Sequence, residues 1–346
     1  MTLPLTMPAA VYREKGRLEV VDVDTPAVGP HDVLLEVSHC GVCGSDLHFV
    51  LEGWGTPDAI EGHEYTGTIV AVGAEVTGWT VGQPVVAGPS RRCRECGPCR
   101  AGRPSLCLNR EDVGTGGYQG AFARYSLAHE DEVLALPDGL TLRQAALAEP
   151  LAVALHGITQ AHIQPDHRVI VFGAGPIGAL TTAALAAKGV TDLTVVEPSP
   201  SRLALATAVG ATRALTPDQL GEPGWHPGHL VDRPYDRALE CSGNRVAMEQ
   251  AIGQLGRMGR LVLVGAGINA PRFDANRIML NELEITGAFV YDATGFEDAL
   301  ALLPALPLDD LIEPVDVTLT GLFDAMERLA AGELAGKVMV TPGGEP

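Results

Sequence analysis

Apolar positions in the first 140 residues fall in short β-rich runs broken by glycine and proline, among them 33–37, 68–72 and 121–125. That texture predicts a barrel-like β half. From about Gln144 it changes to alanine- and leucine-rich helical stretches alternating with short apolar strands at 168–172, 193–197, 235–240, 260–264 and 283–289. Such alternation predicts a parallel, doubly wound sheet and therefore an α/β fold. Beyond Tyr291 the pattern predicts helices near 295–303 and 322–331 and a last strand at 337–340. The stretch 217–234, rich in glycine, proline and histidine, reads as a mobile surface loop.

The chain has 346 residues, 46% apolar and 19% charged, enough for two domains with a full core each. Residues 1–15 contain no basic patch followed by an apolar run, and no stretch reaches the roughly 18 apolar residues of a membrane helix, so a cytoplasmic enzyme is expected. A formal charge of -19 argues against nucleic acid and anionic membranes as partners.

Four of the seven cysteines, Cys93, Cys96, Cys99 and Cys107, are spaced C-x2-C-x2-C-x7-C. Four thiolates can wrap one tetrahedral zinc at about 2.3 Å, and bends at Gly97, Pro98, Gly102 and Pro104 let a short lobe converge its sulfurs. Disulfides are the alternative, but cysteines two residues apart close poorly and nothing else looks secreted. Cys40 and Cys241 read as ordinary thiols.

Gly173, Gly175, Pro176, Ile177 and Gly178 form a G-A-G-P-I-G turn between the strand candidate 168–172 and an alanine-rich helix. The first glycine makes the tight turn, the second lets a pyrophosphate approach the backbone, and the third lets helix pack on strand. The helix amino terminus then faces the anion. Glu197, at the end of the next strand, would accept hydrogen bonds from the adenosine ribose and repel a 2'-phosphate, favouring NAD over NADP. Arg202 would serve a phosphate or simply be a solvated helix residue. Val264 and Gly265, closing a later strand, are further cofactor-binding candidates.

Cys43, His63, Glu64 and Glu149 offer thiolate, imidazole and carboxylate, the ligands of an open zinc site. Singly each reads equally as a buried thiol, a core histidine or a helix-end carboxylate. Phe49, Trp54 and Tyr118 are candidates to line a pocket or to pack, and Gly287 is a candidate hinge.

Six motifs in order carry a resemblance over nearly the whole chain. They are G-V-C-G-S-D-L-H at Gly41, G-H-E-Y-T-G at Gly62, the cysteine lobe, E-P-L at Glu149, G-A-G-P-I-G at Gly173 and E-C-S-G at Glu240. The chain resembles the zinc-containing medium-chain dehydrogenase/reductase superfamily, in the branch of polyol, sorbitol, threonine, butanediol and glucose dehydrogenases. The resemblance implies a GroES-like β-barrel catalytic domain, 1–151 and 292–346 with the zinc lobe at about 90–110, and a Rossmann NAD-binding domain at 152–291, with the active cleft between them.

The resemblance makes Cys43 and His63 catalytic zinc ligands, Glu64 a ligand alternating with water, and Glu149 the remaining place. Simple alcohol dehydrogenases of the family usually carry a cysteine where this chain has Glu149, which points to polyols or sugars. Asp46 would orient the ligand histidine, and Ser45 and His48 would pass the alcohol proton outward. Zinc would acidify the substrate hydroxyl and NAD would take the hydride. Two zinc ions per subunit and a homo-oligomer, dimer or tetramer, are expected. An NADPH-dependent carbonyl or quinone reductase without catalytic zinc is the alternative enzyme. A structural or sensing module that keeps the fold and the zinc lobe for assembly is the alternative outside catalysis. Zinc-free relatives lack the Cys43 and His63 pattern, and loss of Ser45, His63 or the fingerprint would have marked the module.

Overall fold

A computed structural model describes residues 3–88, 90–112 and 119–344. The chain forms two compact units, 1–149 with 296–304 and 312–346, and 150–295 with 305–311.

The first unit is antiparallel. Strands β1 (Thr6–Glu14) and β2 (Arg17–Asp24) make a hairpin through Gly16 at φ +74°. The main sheet contains β3 (Asp32–Gly41), β4 (Glu64–Val72), β5 (Pro84–Ala87), β6 (Tyr125–His129) and β7 (Val133–Ala135). The terminal strand Met339–Val340 pairs with β3, followed in order by β4, β5 and β7, while β6 pairs with β3. Its core gathers Val33, Leu34, Leu35, Val37, Ile69, Val85 and Phe122 around helix residues Leu322 and Met326. Helix α1 (Gly44–Leu51) follows β3 after only Val42 and Cys43.

The second unit is a six-stranded parallel sheet of β8 (Arg168–Phe172), β9 (Asp192–Val196), β10 (Arg213–Leu215), β11 (Tyr235–Glu240), β12 (Leu255–Leu263) and β13 (Glu284–Gly287). Their spatial order, β10-β9-β8-β11-β12-β13, reverses direction between β8 and β11, as in doubly wound nucleotide-binding sheets. Four of the five residues in β8 and in β9 are buried, because helices cover both faces of such a sheet.

The α/β reading therefore stands, with local corrections. The expected strand at 121–125 is not one: Ala121 and Phe122 lie in a buried bend whose backbone bonds go to Ala10, Glu61 and Gly62, Ala123 makes a single bridge to Ala9, and the ladder begins only at Tyr125. Strand 337–340 shortens to Met339–Val340, leaving Lys337 just outside. Gly287, the hinge candidate, ends β13 in register with Leu263. Pro217–Gln219 makes a 3-10 turn within the expected loop. Among the described residues no helix is long and apolar enough to cross a membrane.

Candidate active site

Strand register builds the first site. Gly41 pairs with Glu64 and Cys40 with Tyr65, so Cys43, just past β3, and His63, just before β4, meet despite their separation in sequence. Gly62 sets the approach of His63: its φ is +97°, and a Cβ there would lie 2.9 Å from Cys40 Sγ and from the Phe122 ring.

Cys43 is the N-cap of α1, and its N–H donates to Asp46 Oδ2 at 2.8 Å. Asp46 Oδ1 lies 3.5 Å from His63 Nδ1. One fully buried carboxylate thus braces both residues. With Nδ1 held on that side, the other ring nitrogen, Nε2, lies 3.4 Å from Ser45 Oγ.

Donor atoms of Cys43, His63 and Glu64 all lie within 4.8 Å of one another. Glu149 falls outside that group, although it is buried and feels its charges. Burial pushes its carboxyl up to about 7, with His63 and Lys337 opposing and Glu64 and Asp46 adding. Glu61 is likewise pushed up to about 7 by burial and by Asp46, against His63. Burial disfavours a charged His63 ring, yet Asp46 and Cys43 outweigh it and raise the imidazole well above its usual value. Thiol, imidazole and so many carboxylates crowded together form a donor set suited to a divalent cation.

The terminal strand adds Lys337, which sequence reasoning missed. Met339 pairs with Gly41, and the Lys337 ammonium reaches Glu64 Oε1 at 2.7 Å, Oε2 at 2.6 Å and the Val42 carbonyl at 3.1 Å. Both side chains are buried. Burial disfavours the charged lysine, but Glu64 overcomes this and raises its pKa. A Cβ on Gly41 would fall 2.2 Å from Glu64 Oε2, so glycine is what lets the pair pack against β3. The signal in sequence is a lone lysine opening an otherwise apolar run.

Among the pocket candidates, Trp54 is half exposed and stacked on His48, and Phe49 is half-buried. Tyr118 lies outside the described residues.

The cysteine lobe folds through short turns. Gly97–Arg100 forms one helical turn capped by Cys96, and Gly102 adopts φ +75°. All four sulfurs lie within 4.8 Å of one another, with Cys93 and Cys107 at 3.4 Å and every cysteine a free thiol. Disulfides are therefore absent, since their S–S bond is about 2.05 Å. Tetrahedral zinc with sulfurs at about 2.3 Å needs S···S edges of about 3.8 Å, which this cluster fits. Backbone N–H groups of Glu95 and Cys96 draw Cys93 down to about 6. Burial and then its sulfur neighbours push Cys99 up to about 12. Four thiolates cannot coexist there without a cation.

In the second unit the glycine turn behaves as its spacing predicts. Gly173 has φ +90°, Pro176 opens helix α2 (Pro176–Ala187), and a Cβ on Gly178 would fall 1.9 Å from the Gly173 carbonyl. Glu197 fastens this turn to β9, accepting from Ala174 N–H at 2.8 Å and Ser199 N–H at 3.0 Å. Buried Glu240 fastens the neighbouring turn, accepting from the Ser242 and Gly243 N–H groups at 2.9 and 3.0 Å. Burial raises its pKa against those bonds. Val264 and Gly265 donate their N–H groups to the Glu240 carbonyl, and Arg202 is half-buried in helix Pro200–Ala208. Cys241 is pushed up to about 12 by burial, an inert thiol.

Residues 29–138 match the alcohol dehydrogenase GroES-like domain, and residues 176–305 match the zinc-binding dehydrogenase domain. The chain belongs to the zinc-containing medium-chain dehydrogenases. It is 33% identical to the sorbitol dehydrogenase of Bacillus subtilis, with 99% of each chain covered. A zinc-binding dehydrogenase from Sinorhizobium meliloti bound to NADP superposes with a TM-score of 0.86 at 29% identity, covering 97% of this chain and 99% of that one. The 2R,3R-butanediol dehydrogenase of Bacillus subtilis also gives 0.86, at 28% identity over 97% of this chain and 100% of the other. This dehydrogenase is an oxidoreductase whose cofactors are zinc and NAD(P).

Proposed function

We propose that this dehydrogenase oxidises a secondary hydroxyl of a polyol or sugar with NAD, using a catalytic zinc at Cys43 and His63 and a structural zinc at Cys93, Cys96, Cys99 and Cys107. The observation that carries this reading is the Asp46 brace, which holds Cys43 and His63 together beside Ser45. Bound zinc would supply the Lewis acidity that makes the substrate hydroxyl more acidic and, once its proton is lost, a better hydride source. Cys43 Sγ and His63 Nε2 would hold it. Glu64, whose charge Lys337 balances, would exchange with water, and Glu149 would complete the set.

Ser45 Oγ, next to His63, would accept the substrate proton, and His48, one turn along α1, would carry it toward solvent. Asp46 keeps the proton on His63 Nδ1, leaving Nε2 to bind metal. Glu149 favours hydroxyl-rich substrates, as does similarity to a sorbitol and a butanediol dehydrogenase.

Glu197 supports NAD, because a buried carboxylate at that strand end would repel a 2'-phosphate. The NADP-bound relative makes NADP the competing reading. A homo-oligomer is supported by β13, which ends its sheet with exposed Met279, Leu280 and Phe289 flanking it. The test is initial rates on polyols, aldoses and simple alcohols with each cofactor. Vicinal diols with NAD should give the highest kcat/KM, and Glu197→Ala should raise KM for NAD at least about tenfold more than KM for NADP, the loss of the turn bonds to Ala174 and Ser199 being common to both cofactors. Preference for simple alcohols, or equal loss for both cofactors, would overturn the assignment.

A further inference from the structure

Glu52 has no part in the chemistry above, yet it is tied to it. It caps the carboxyl end of α1 one turn beyond His48, and its Oε2 lies 2.6 Å from His48 Nδ1. The chain then reverses through Gly53 at φ +86°, returning the Trp54 N–H to the His48 carbonyl at 3.3 Å and the Gly55 N–H to the Phe49 carbonyl at 3.1 Å. A Cβ on Gly55 would lie 2.9 Å from the Tyr12 ring, so this turn closes only with glycine there. The reversal lays the Trp54 indole along the His48 ring, with centroids 5.1 Å apart and planes at 21°. His48 is thereby held at one nitrogen by a carboxylate and on one face by an aromatic plate. Helix stability alone gains little from this, since an i,i+4 side-chain pair along a helix contributes a few tenths of a kcal/mol.

We propose that Glu52 and Trp54 are positioning residues for the proton carrier: Glu52 fixes His48 as the Nδ1–H tautomer with Nε2 as the accepting nitrogen, and Trp54 fixes the plane of the ring. This rests on the reading of Ser45 and His48 as the relay. In the oxidative direction the substrate O–H bond breaks, its proton passes by way of the Ser45 hydroxyl, and an N–H bond forms at His48 Nε2. The C–H electron pair leaves as hydride to NAD, so the alcohol is oxidised and NAD reduced. The ring then releases the proton to solvent and returns to its starting tautomer, Nδ1 still facing Glu52 Oε2. Without an acceptor at Nδ1 the ring is free to adopt the Nε2–H form, which cannot take the proton.

The test uses full-length, zinc-loaded enzyme with 15N-labelled histidine at alkaline pH, with His48 assigned by its loss in His48→Ala. The wild type should show a protonated Nδ1 and an unprotonated Nε2. Glu52→Gln keeps an acceptor oxygen and should keep that signature, with kcat within about threefold. Glu52→Leu should lose it, with kcat down about tenfold or more, KM within about twofold and an unchanged melting temperature. Trp54→Ala should broaden the His48 signals and lower kcat by a smaller factor.

An Nε2–H signature in the wild type, or a Glu52→Leu enzyme in which tautomer and kcat do not fall together, overturns the role of Glu52. Undiminished turnover in His48→Ala overturns the relay instead, and the two failures are distinct because the tautomer is read without turnover.

Discussion

Replacing Asp46 by asparagine isolates the brace that holds the metal-site candidates. The change conserves volume at a fully buried position. One amide oxygen can still accept from Cys43 N–H, now at 2.8 Å from a carboxylate. The amide NH2 must then face His63 Nδ1, at 3.5 Å, and two N–H donors cannot satisfy each other. Relief comes from moving the imidazole proton to Nε2, the nitrogen assigned to the metal. Losing such an orienting partner costs about 10- to 100-fold in metal affinity, or about 1.4 to 2.7 kcal/mol. Exchanging a charged for a neutral acceptor at Cys43 adds about 1 kcal/mol of instability. A chromogenic chelator titrated into Asp46→Asn should therefore remove one zinc equivalent at about 10- to 100-fold lower chelator, while the cysteine-lobe equivalent leaves as in the wild type. Identical release of both equivalents from the two proteins would refute the brace.

Lys337→Met should lower stability by about 3–5 kcal/mol, since it strands the buried Glu64 charge; adding Glu64→Gln should recover most of this in denaturant melts, and no recovery would contradict the pairing. Gly175→Ala has open space for its Cβ and should leave the melting temperature unchanged while raising KM for NAD, whereas Gly178→Ala, with a Cβ 1.9 Å from the Gly173 carbonyl, should fold poorly. Equal melting temperatures for the two variants would contradict the turn geometry. Burial lowers His39 from its ordinary 6.5 against the pull of Asp316, so the folded state binds this proton less tightly than the unfolded chain does. Its contribution is complete above pH 6.5 and is lost as pH falls below it, so His39→Gln should lose less melting temperature between pH 8 and pH 5.5 than the wild type does. A wild type and variant with parallel pH dependences would contradict this.

Features whose partners are close in sequence were legible. The Cys93 to Cys107 spacing and the Gly173 to Gly178 turn each close within one local segment, so residue type and interval carry the geometry. Cys43 and His63 meet only through the register of β3 against β4, which no local pattern states, and motif resemblance supplied that link. Lys337 and Glu64 are 273 positions apart, and although a terminal strand was legible at 337–340, nothing local states that it pairs with β3 and so brings the lysine to Glu64. Helix α1 escaped notice because it is eight residues long, starts on glycine and is capped by cysteine rather than serine or threonine. The segment 121–125 misled because a buried apolar run looks like a strand, whereas this one bends and makes only isolated bonds, to β1 and to Glu61 and Gly62 among them, before the ladder begins at Tyr125.

Zinc counting tests the central claim most directly. Elemental analysis of fully active wild type should give two equivalents per chain, and Cys43→Ser should retain one, bound by the cysteine lobe, with turnover abolished. A single equivalent in active wild type, or a Cys43→Ser protein that loses one zinc and still turns over, would contradict the account.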